Sequence, residues 1–514
     1  MSIDETLQQT FRLAIPEATL VGVACVLYLL ATCKVVSRQL AGVVALAGLG
    51  AALILDRTLT FPTEMIPTVA PFLPSNLATA VRWIMCISSA LLILFAWSET
   101  SGHRAAEYYG SLLIATAGVS LTASANDLIA LFLALEMLSI PTYVLLFLHG
   151  KDVGRTNETM IKYFMLSIFS SGLALFGLSY LYGICGSTNI AVLNSVAPVA
   201  VLAEHHTTGL IALVFMLAGI GFRITAFPFH FYAPDVYQAG PSVTVAFLAF
   251  VPKVAGFVAL IKLTSFAAIS GTQVGPEFLR KALLVLWVLA VVTMFAGNFM
   301  ALLQNNLRRL LAYSSVANAG YMLIGLATMP TLANQPTTSS TIPFILQTSG
   351  HEALLVYLVA YGLMTIGAFA ILAYLNHSER PVHTIEDLAG LAKTNPLPAA
   401  LLAVCVVSMI GLPLTAGFVG KVLLFANALN TSATVPMHDM LSVLAIIGAI
   451  NAAIAAGYYL KVLVAMYLRT AIEPVRTSGA RHLLVVGGIC ASLTVFFGLY
   501  PKPLFQFAHW AFGM

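Results

Sequence analysis

Apolar runs of bilayer-crossing length recur from Leu13 almost to the C-terminus, separated by short polar connections. A hydrocarbon core of about 30 Å needs roughly 20 mostly apolar residues per helix. Runs of that kind fall at approximately 13–33, 39–56, 80–97, 108–124, 127–148, 160–183, 208–228, 241–265, 281–302, 309–329, 352–375, 397–426, 441–468 and 482–500, about fourteen in all. No segment shows the long period-2 alternation of a membrane barrel, and a continuous apolar run satisfies its backbone in lipid by forming a helix. The pattern predicts an all-α polytopic membrane protein, 1–514, built as one membrane domain.

Two runs are broken by proline or glycine beside an ionisable residue. Span 7 contains Gly221-Phe-Arg223-Ile-Thr-Ala-Phe-Pro228-Phe-His230, and span 12 contains Gly411-Leu-Pro413-Leu-Thr-Ala-Gly417-Phe-Val-Gly420-Lys421. Either break alone has an ordinary explanation, since Pro and Gly are frequent in membrane helices. Separated by four intervening spans and paired with buried charge, they point to inverted transporter repeats whose freed backbone groups face a cavity. The division expected is helices 1–3 in 1–105, a first five-helix repeat in 106–265, a second in 281–468, and helix 14 in 482–514.

Composition agrees: 60% of residues are hydrophobic and 9% charged, against about a quarter charged in soluble domains. A formal charge of +4 is too small and scattered for a nucleic-acid partner. Cys25, Cys33, Cys86, Cys185, Cys405 and Cys490 lie singly, without C-x-x-C spacing, so neither a metal centre nor a disulfide framework is expected. No glycine-rich phosphate loop follows a strand-like run, so the chain is expected to bind no cofactor itself. Asp4 and Glu5 precede the first run, and without a basic leader and cleavage site that run reads as a retained span. One set of connections carries Lys34, Arg38, Arg104, Lys151, Arg155, Arg308, Arg309, Arg380, Lys393, Arg469, Arg476 and Arg481; the other has Arg12, Arg57, Arg280, Lys281 and Lys502. The positive-inside rule then places both termini outside the cytoplasm.

An ionisable group at mid-bilayer costs roughly 2.5–3.5 kcal/mol on insertion scales, so each one needs a partner, water or a purpose. Glu136 lies deep in span 5, Lys253 midway along span 8 after Pro252, and Lys421 deep in span 12, all beyond ordinary snorkelling reach. Arg223, near the middle of span 7, is read as a fixed positive charge, because a guanidinium stays protonated. For Lys162, near the start of span 6, two readings stand: a proton site, or a stem that carries its ammonium to the interface. Lys262 and Lys461 read as snorkelling residues. His230 and Asp235 line an entrance or cap a helix, and Glu352, beside His351, is explained by its helix N-terminus. One buried acid and several buried bases, spread out with Ser, Thr, Tyr and His between them, suit a series of proton-holding sites better than a compact catalytic constellation.

These residues also carry a resemblance. Asn126 to Glu136, Lys162-Tyr-Phe-Met-Leu-Ser, the stretch Gly221 to Pro241, Phe247 with Pro252-Lys253, Arg309 to Tyr321, Tyr361 to Phe369, and Gly411 to Lys421 follow in order over roughly 105–470. They resemble the subunit N family of bacterial NADH:quinone oxidoreductase, respiratory complex I, whose mitochondrial counterpart is subunit 2. The resemblance implies fourteen helices with two inverted five-helix repeats. It also implies a proton path through Glu136, Lys253 and Lys421, with Lys162 an addition. Arg223 departs from the family pattern, which usually has lysine there. Lys421 favours N over sister subunit M, which typically has an acid at this place; subunit L would carry a long lateral helix after the last span.

The function expected is proton translocation in the membrane arm, with no redox centre in this chain. NADH, FMN, iron-sulfur clusters and quinone are implied in partner subunits, and the partners are other complex I subunits within a bacterial inner membrane. Two alternatives stand beside it: a subunit of a multisubunit cation/proton antiporter, and an inert membrane scaffold.

Overall fold

The computed structural model describes residues 8, 10–32, 37–58, 70–98, 100, 104–148, 153–194, 204–264, 276–328, 348–376, 382–431, 437–470 and 480–513. Cys33, Lys34, Lys151, Arg380 and Arg476 lie outside them, as does the side chain of Arg155. The principal helices are α1 (Ile15–Thr32), α2 (Arg38–Thr58), α3 (Asn76–Ala96), α4 (Ala105–Ser124), α5 (Leu128–Phe147), α6 (Val153–Cys185), α7 (His206–Arg223), α8 (Tyr232–Ala239) and α9 (Ser242–Thr264). They continue as α10 (Pro276–Leu302), α11 (Leu307–Ala327), α12 (Gly350–Leu375), α13 (Pro396–Ile410), α14 (Ala416–Leu429), α15 (His438–Leu468), α16 (Arg481–Leu499) and α17 (Lys502–Phe512).

Among the described residues, twelve helices are long and apolar enough to cross a membrane. The protein is a multi-pass membrane protein. α4 is 20 residues long but rich in Ala, Gly, Ser and Thr, and it is buried along almost its whole length. A helix shielded by its neighbours needs small residues for close packing rather than greasy ones for lipid. The predicted span 12 resolves into α13 and α14 around a break. The predicted span 6 begins earlier than expected, at Val153, where Glu158 and Lys162 pair one turn apart and support the added turns.

Contacts divide the chain into two compact units. The first comprises Met1–Arg223, Val251–Phe278 and Trp510–Met514, and the second Ile224–Phe250 and Leu279–His509. In the first, α6 and α7 pack so closely that a Cβ at Gly219 would stand 2.5 Å from the Ala174 backbone nitrogen. Ile129, Leu133 and Ile140 on α5, and Met165, Ile168 and Phe169 on α6, are exposed, as expected of surfaces whose solvent is hydrocarbon. In the second unit, α11 and α12 are interior helices, buried along nearly their whole length. α17 is amphipathic: Leu504, Phe505, Ala508 and Ala511 form its buried stripe, while Lys502, Gln506 and His509 are exposed.

Candidate functional site: two buried charge clusters

The first cluster lies in the first unit and grows from the middle of α5. Pro141 sits inside that helix, and because proline has no N–H it leaves the carbonyl one turn earlier, at Met137, without its helical donor. Glu136 stands beside this gap. Its Oε1 accepts from Arg223 Nη2 at 2.8 Å and from Ser171 Oγ at 2.6 Å, while Arg223 Nη1 donates to Ser139 Oγ at 2.9 Å. The guanidinium comes from the last residue of α7, and only 9% of its side chain is exposed, against 27% for Glu136. Charge-assisted bonds of this kind contribute about 1.5–3 kcal/mol each, comparable to the insertion cost of a charge. Tyr143, two turns beyond Glu136 on α5, donates to Ser167 Oγ at 2.8 Å.

Lys253 belongs to the same unit. It follows Pro252 within α9 and is fully buried. Lys162 is placed otherwise: its ammonium pairs with Glu158 at 2.7 Å on an open face of α6, with nearly half of its side chain exposed. Lys262 does not snorkel outward; its Nζ donates to the Ala125 carbonyl at the end of α4, 2.8 Å away.

The second cluster, in the second unit, is set by the break between α13 and α14. Gly411 (φ +86°) and Leu414 (φ +72°) take left-handed backbone conformations, and the chain turns through them so that the last carbonyls of α13 have no helical donors. Lys421, 4% exposed, reaches back from α14 and donates to the carbonyls of Met409 at 2.8 Å and Ile410 at 3.0 Å. A cation there also complements the negative end of the α13 dipole. Gly417 permits the close return: a Cβ would lie 2.0 Å from the Ser408 carbonyl oxygen.

Uncharged polar groups continue from Lys421. Its Nζ lies 4.9 Å over the Tyr321 ring, and the Tyr321 hydroxyl accepts from Asn298 Nδ2 at 3.3 Å. Asn298 also donates to Asn451 Oδ1 at 3.0 Å and accepts from the Tyr458 hydroxyl at 3.1 Å. A parallel series runs from the Tyr357 hydroxyl to Asn318 Oδ1 at 2.5 Å, from Asn318 Nδ2 to Ser314 Oγ at 3.3 Å, and on to Tyr459. All of these side chains are buried.

The interrupted span 7 continues in this unit as Ile224–Phe231. In the break, Phe227 N donates to Thr293 Oγ1 at 3.2 Å, and beyond α8 Arg308 donates to the Gly240 carbonyl and to Ser242 Oγ, both at 2.8 Å. His230 is buried in the break against Phe227 and Phe231. Asp235, in the first turn of α8, pairs with Arg309 at 2.9 Å. Glu352 closes a capping box with Ser349, the helix-terminus role read from the sequence, and also meets His509 Nδ1 at 3.2 Å.

Comparison with known proteins gives this geometry a lineage. The profile of the family described as NADH:quinone oxidoreductase/Mrp antiporter, transmembrane, matches residues 125–448, from the start of α5 into α15. The chain belongs to that family. Within the NADH:quinone oxidoreductase/Mrp antiporter family, subunit N of NADH-quinone oxidoreductase from Trichlorobacter lovleyi is 36% identical over 85% of this chain and 83% of its own length. A chain of respiratory complex I from Thermus thermophilus with bound aureothin superimposes with a TM-score of 0.74 at 28% identity, covering 96% of this chain and 99% of that one. A chain of the Mrp complex from Dietzia sp. DQ12-45-1b gives a TM-score of 0.75 at 19% identity, with 97% of each covered, which shows a shared fold.

Proposed function

We propose that this chain is the proton-translocating membrane-arm subunit N of an NADH:quinone oxidoreductase, moving protons through buried charged sites while electron transfer takes place in partner subunits. The observation that carries the chemistry is Lys421, an ammonium held inside the bundle by the open end of a broken helix. A lysine so placed can hold a proton, and three rotatable donors let it pass one on. The likeness to subunit N over most of the chain separates this reading from the antiporter one, since the fold itself is common to both.

In this reading Glu136, Lys253 and Lys421 exchange protons, and Arg223 is the fixed cation paired with Glu136. Lys162, paired with Glu158 on an open face, serves at the entry side. The repeats 106–265 and 281–468 supply the two broken helices. NADH, FMN, iron-sulfur clusters and quinone belong to the partner subunits, which include sister antiporter-like chains. The complex resides in a bacterial inner membrane with both termini of this chain on the non-cytoplasmic side.

The test uses the intact complex. Lys253→Ala and Lys421→Ala, singly and together, are expected to depress coupled NADH:quinone turnover and proton pumping while sparing NADH oxidation by an artificial acceptor. Normal pumping in an assembled double variant would sink the proposal and leave an assembly role.

A further inference from the structure

An ion cluster joins the N-terminal helices at a place the proton-site reading does not use. Arg82 of α3 lies between two carboxylates: its Nε and Nη2 donate to Glu17 Oε1 of α1 at 2.8 and 2.6 Å, and its Nη1 donates to Asp56 Oδ1 of α2. Glu17 is 2% exposed and Arg82 7%. Asp56 Oδ2 accepts from Trp83 Nε1 at 2.9 Å, and the Arg57 guanidinium lies 4.2 Å over the Trp83 ring. Ser120 of α4 donates to the same Glu17 oxygen and accepts from Arg82 Nε at 3.3 Å. Four helices therefore meet at one guanidinium.

The cluster fixes α4 at one end, and two further contacts fix it along its length. Tyr28 of α1 is hydrogen-bonded to Ser111 at 2.8 Å, and Ser89 of α3 to Thr116 at 2.6 Å. The opposite face of α4 leans on α5. At Gly118, two residues before Ser120, a Cβ would stand 3.0 Å from the Ala134 oxygen, 3.0 Å from the Met137 carbonyl carbon and 3.1 Å from the Leu138 nitrogen. That is the backbone turn that carries Glu136. It is also the turn whose hydrogen bonding Pro141 weakens, so its course depends more than usual on what packs against it.

We propose that Arg82, Glu17 and Ser120 are positioning residues for the Glu136 site: they set the lie of α4, and α4, through its bare contact at Gly118, sets the turn that aims Glu136 at Arg223. The Glu136–Arg223 pair spans α5 and α7, and α7 makes its own close contacts with α6. A displacement of α5 alone therefore opens the pair rather than carrying both partners along. Because Arg82 is the shared donor of two buried carboxylates, removing it leaves two acids with no common cation, a change that loosens α1, α2 and α4 together. Although this proposal rests on Glu136 being a proton site, the geometric consequence is measurable without that assumption.

The test is made in the assembled complex with Arg82→Gln, Arg82→Lys, Ser120→Ala and Gly118→Ala. Cryo-electron microscopy reads the Glu136–Arg223 separation, and reconstituted vesicles read protons pumped per electron. In Arg82→Gln and Gly118→Ala the pair is expected to open beyond hydrogen-bonding distance and the ratio to fall several-fold. Arg82→Lys restores most of the ratio, and Ser120→Ala shows the smaller change of a single lost link. Should Arg82→Gln not assemble, Ser120→Ala and Gly118→Ala decide the matter. An intact pair with an unchanged ratio in the assembled variants overturns the proposal. An opened pair with normal pumping would instead support the positioning and refute the use of Glu136 as a proton site, which Glu136→Gln checks separately.

Discussion

The ammonium of Lys421 lies over the face of Tyr321, with the nitrogen 4.9 Å from the ring centroid, while the hydroxyl of that ring is tied to Asn298 on another helix. One residue thus offers the cation two distinct things, a negatively polarised face and a hydrogen-bonded edge. A desolvated cation–π contact is worth about 2 kcal/mol, which corresponds to more than a tenfold change in an equilibrium. Tyr321→Phe keeps the face and loses the edge, and Tyr321→Leu loses both. Pumping is expected to fall several-fold in the first and by roughly tenfold more in the second. Equal rates in the two variants would show that the ring face contributes nothing.

Arg223→Ala is expected to leave Glu136 without its paired cation and to slow coupled turnover. Arg223→Lys retains substantial pumping because it keeps a cation, although it cannot reproduce the guanidinium's simultaneous bonds to Glu136 and Ser139. The measurement is the infrared carboxyl band assigned through Glu136→Gln, together with pumping by assembled complexes. An unchanged band and unchanged pumping in Arg223→Ala would rule out the tuning role.

Gly417→Ala places a methyl group into the Ser408 carbonyl, where the unrelaxed separation is 2.0 Å. Relief requires α14 to move away from the end of α13, at a cost of about 1–3 kcal/mol, and carries Lys421 from its two carbonyls. Thermal stability of the complex and pumping should decline together. Gly22→Ala, where a Cβ meets nothing within 4 Å, is the matched control and should change neither.

Reporter fusions at the C-terminus test the orientation expected from the lysine and arginine asymmetry. A reporter that works only outside the cytoplasm should be active and a cytoplasmic one silent. The reverse result would refute the orientation or the number of crossings.

The helices were legible because length and apolarity report directly on the bilayer. Glu136, Lys253 and Lys421 were legible because charge in such a run is costly. The polar series around Asn298, Asn318 and Asn451 was not: tyrosine and asparagine raise little alarm in a membrane helix, and their value lies in partners as far away as 160 residues, as for Tyr458 and Asn298. Glu17, Asp56 and Arg82 escaped for another reason. Each lies near a helix end, where an isolated charge looks interfacial, and only the fold brings the three together. Lys162 was ambiguous in the sequence because the start of its helix was misplaced, and the earlier start at Val153 puts it more than two turns inside.

The grip on Lys421 is made by main-chain oxygens, and its durability follows from that. Replacing a neighbouring side chain leaves Met409 and Ile410 still presenting carbonyls, so point substitutions there can accumulate without removing the ligands. What the site cannot absorb is a change of register. One residue inserted or deleted in α14 between Ala416 and Lys421 would turn that side chain by about 100° about the helix axis and swing the ammonium off its acceptors, so the site withstands changes of side chain around it far better than a change in the number of residues there.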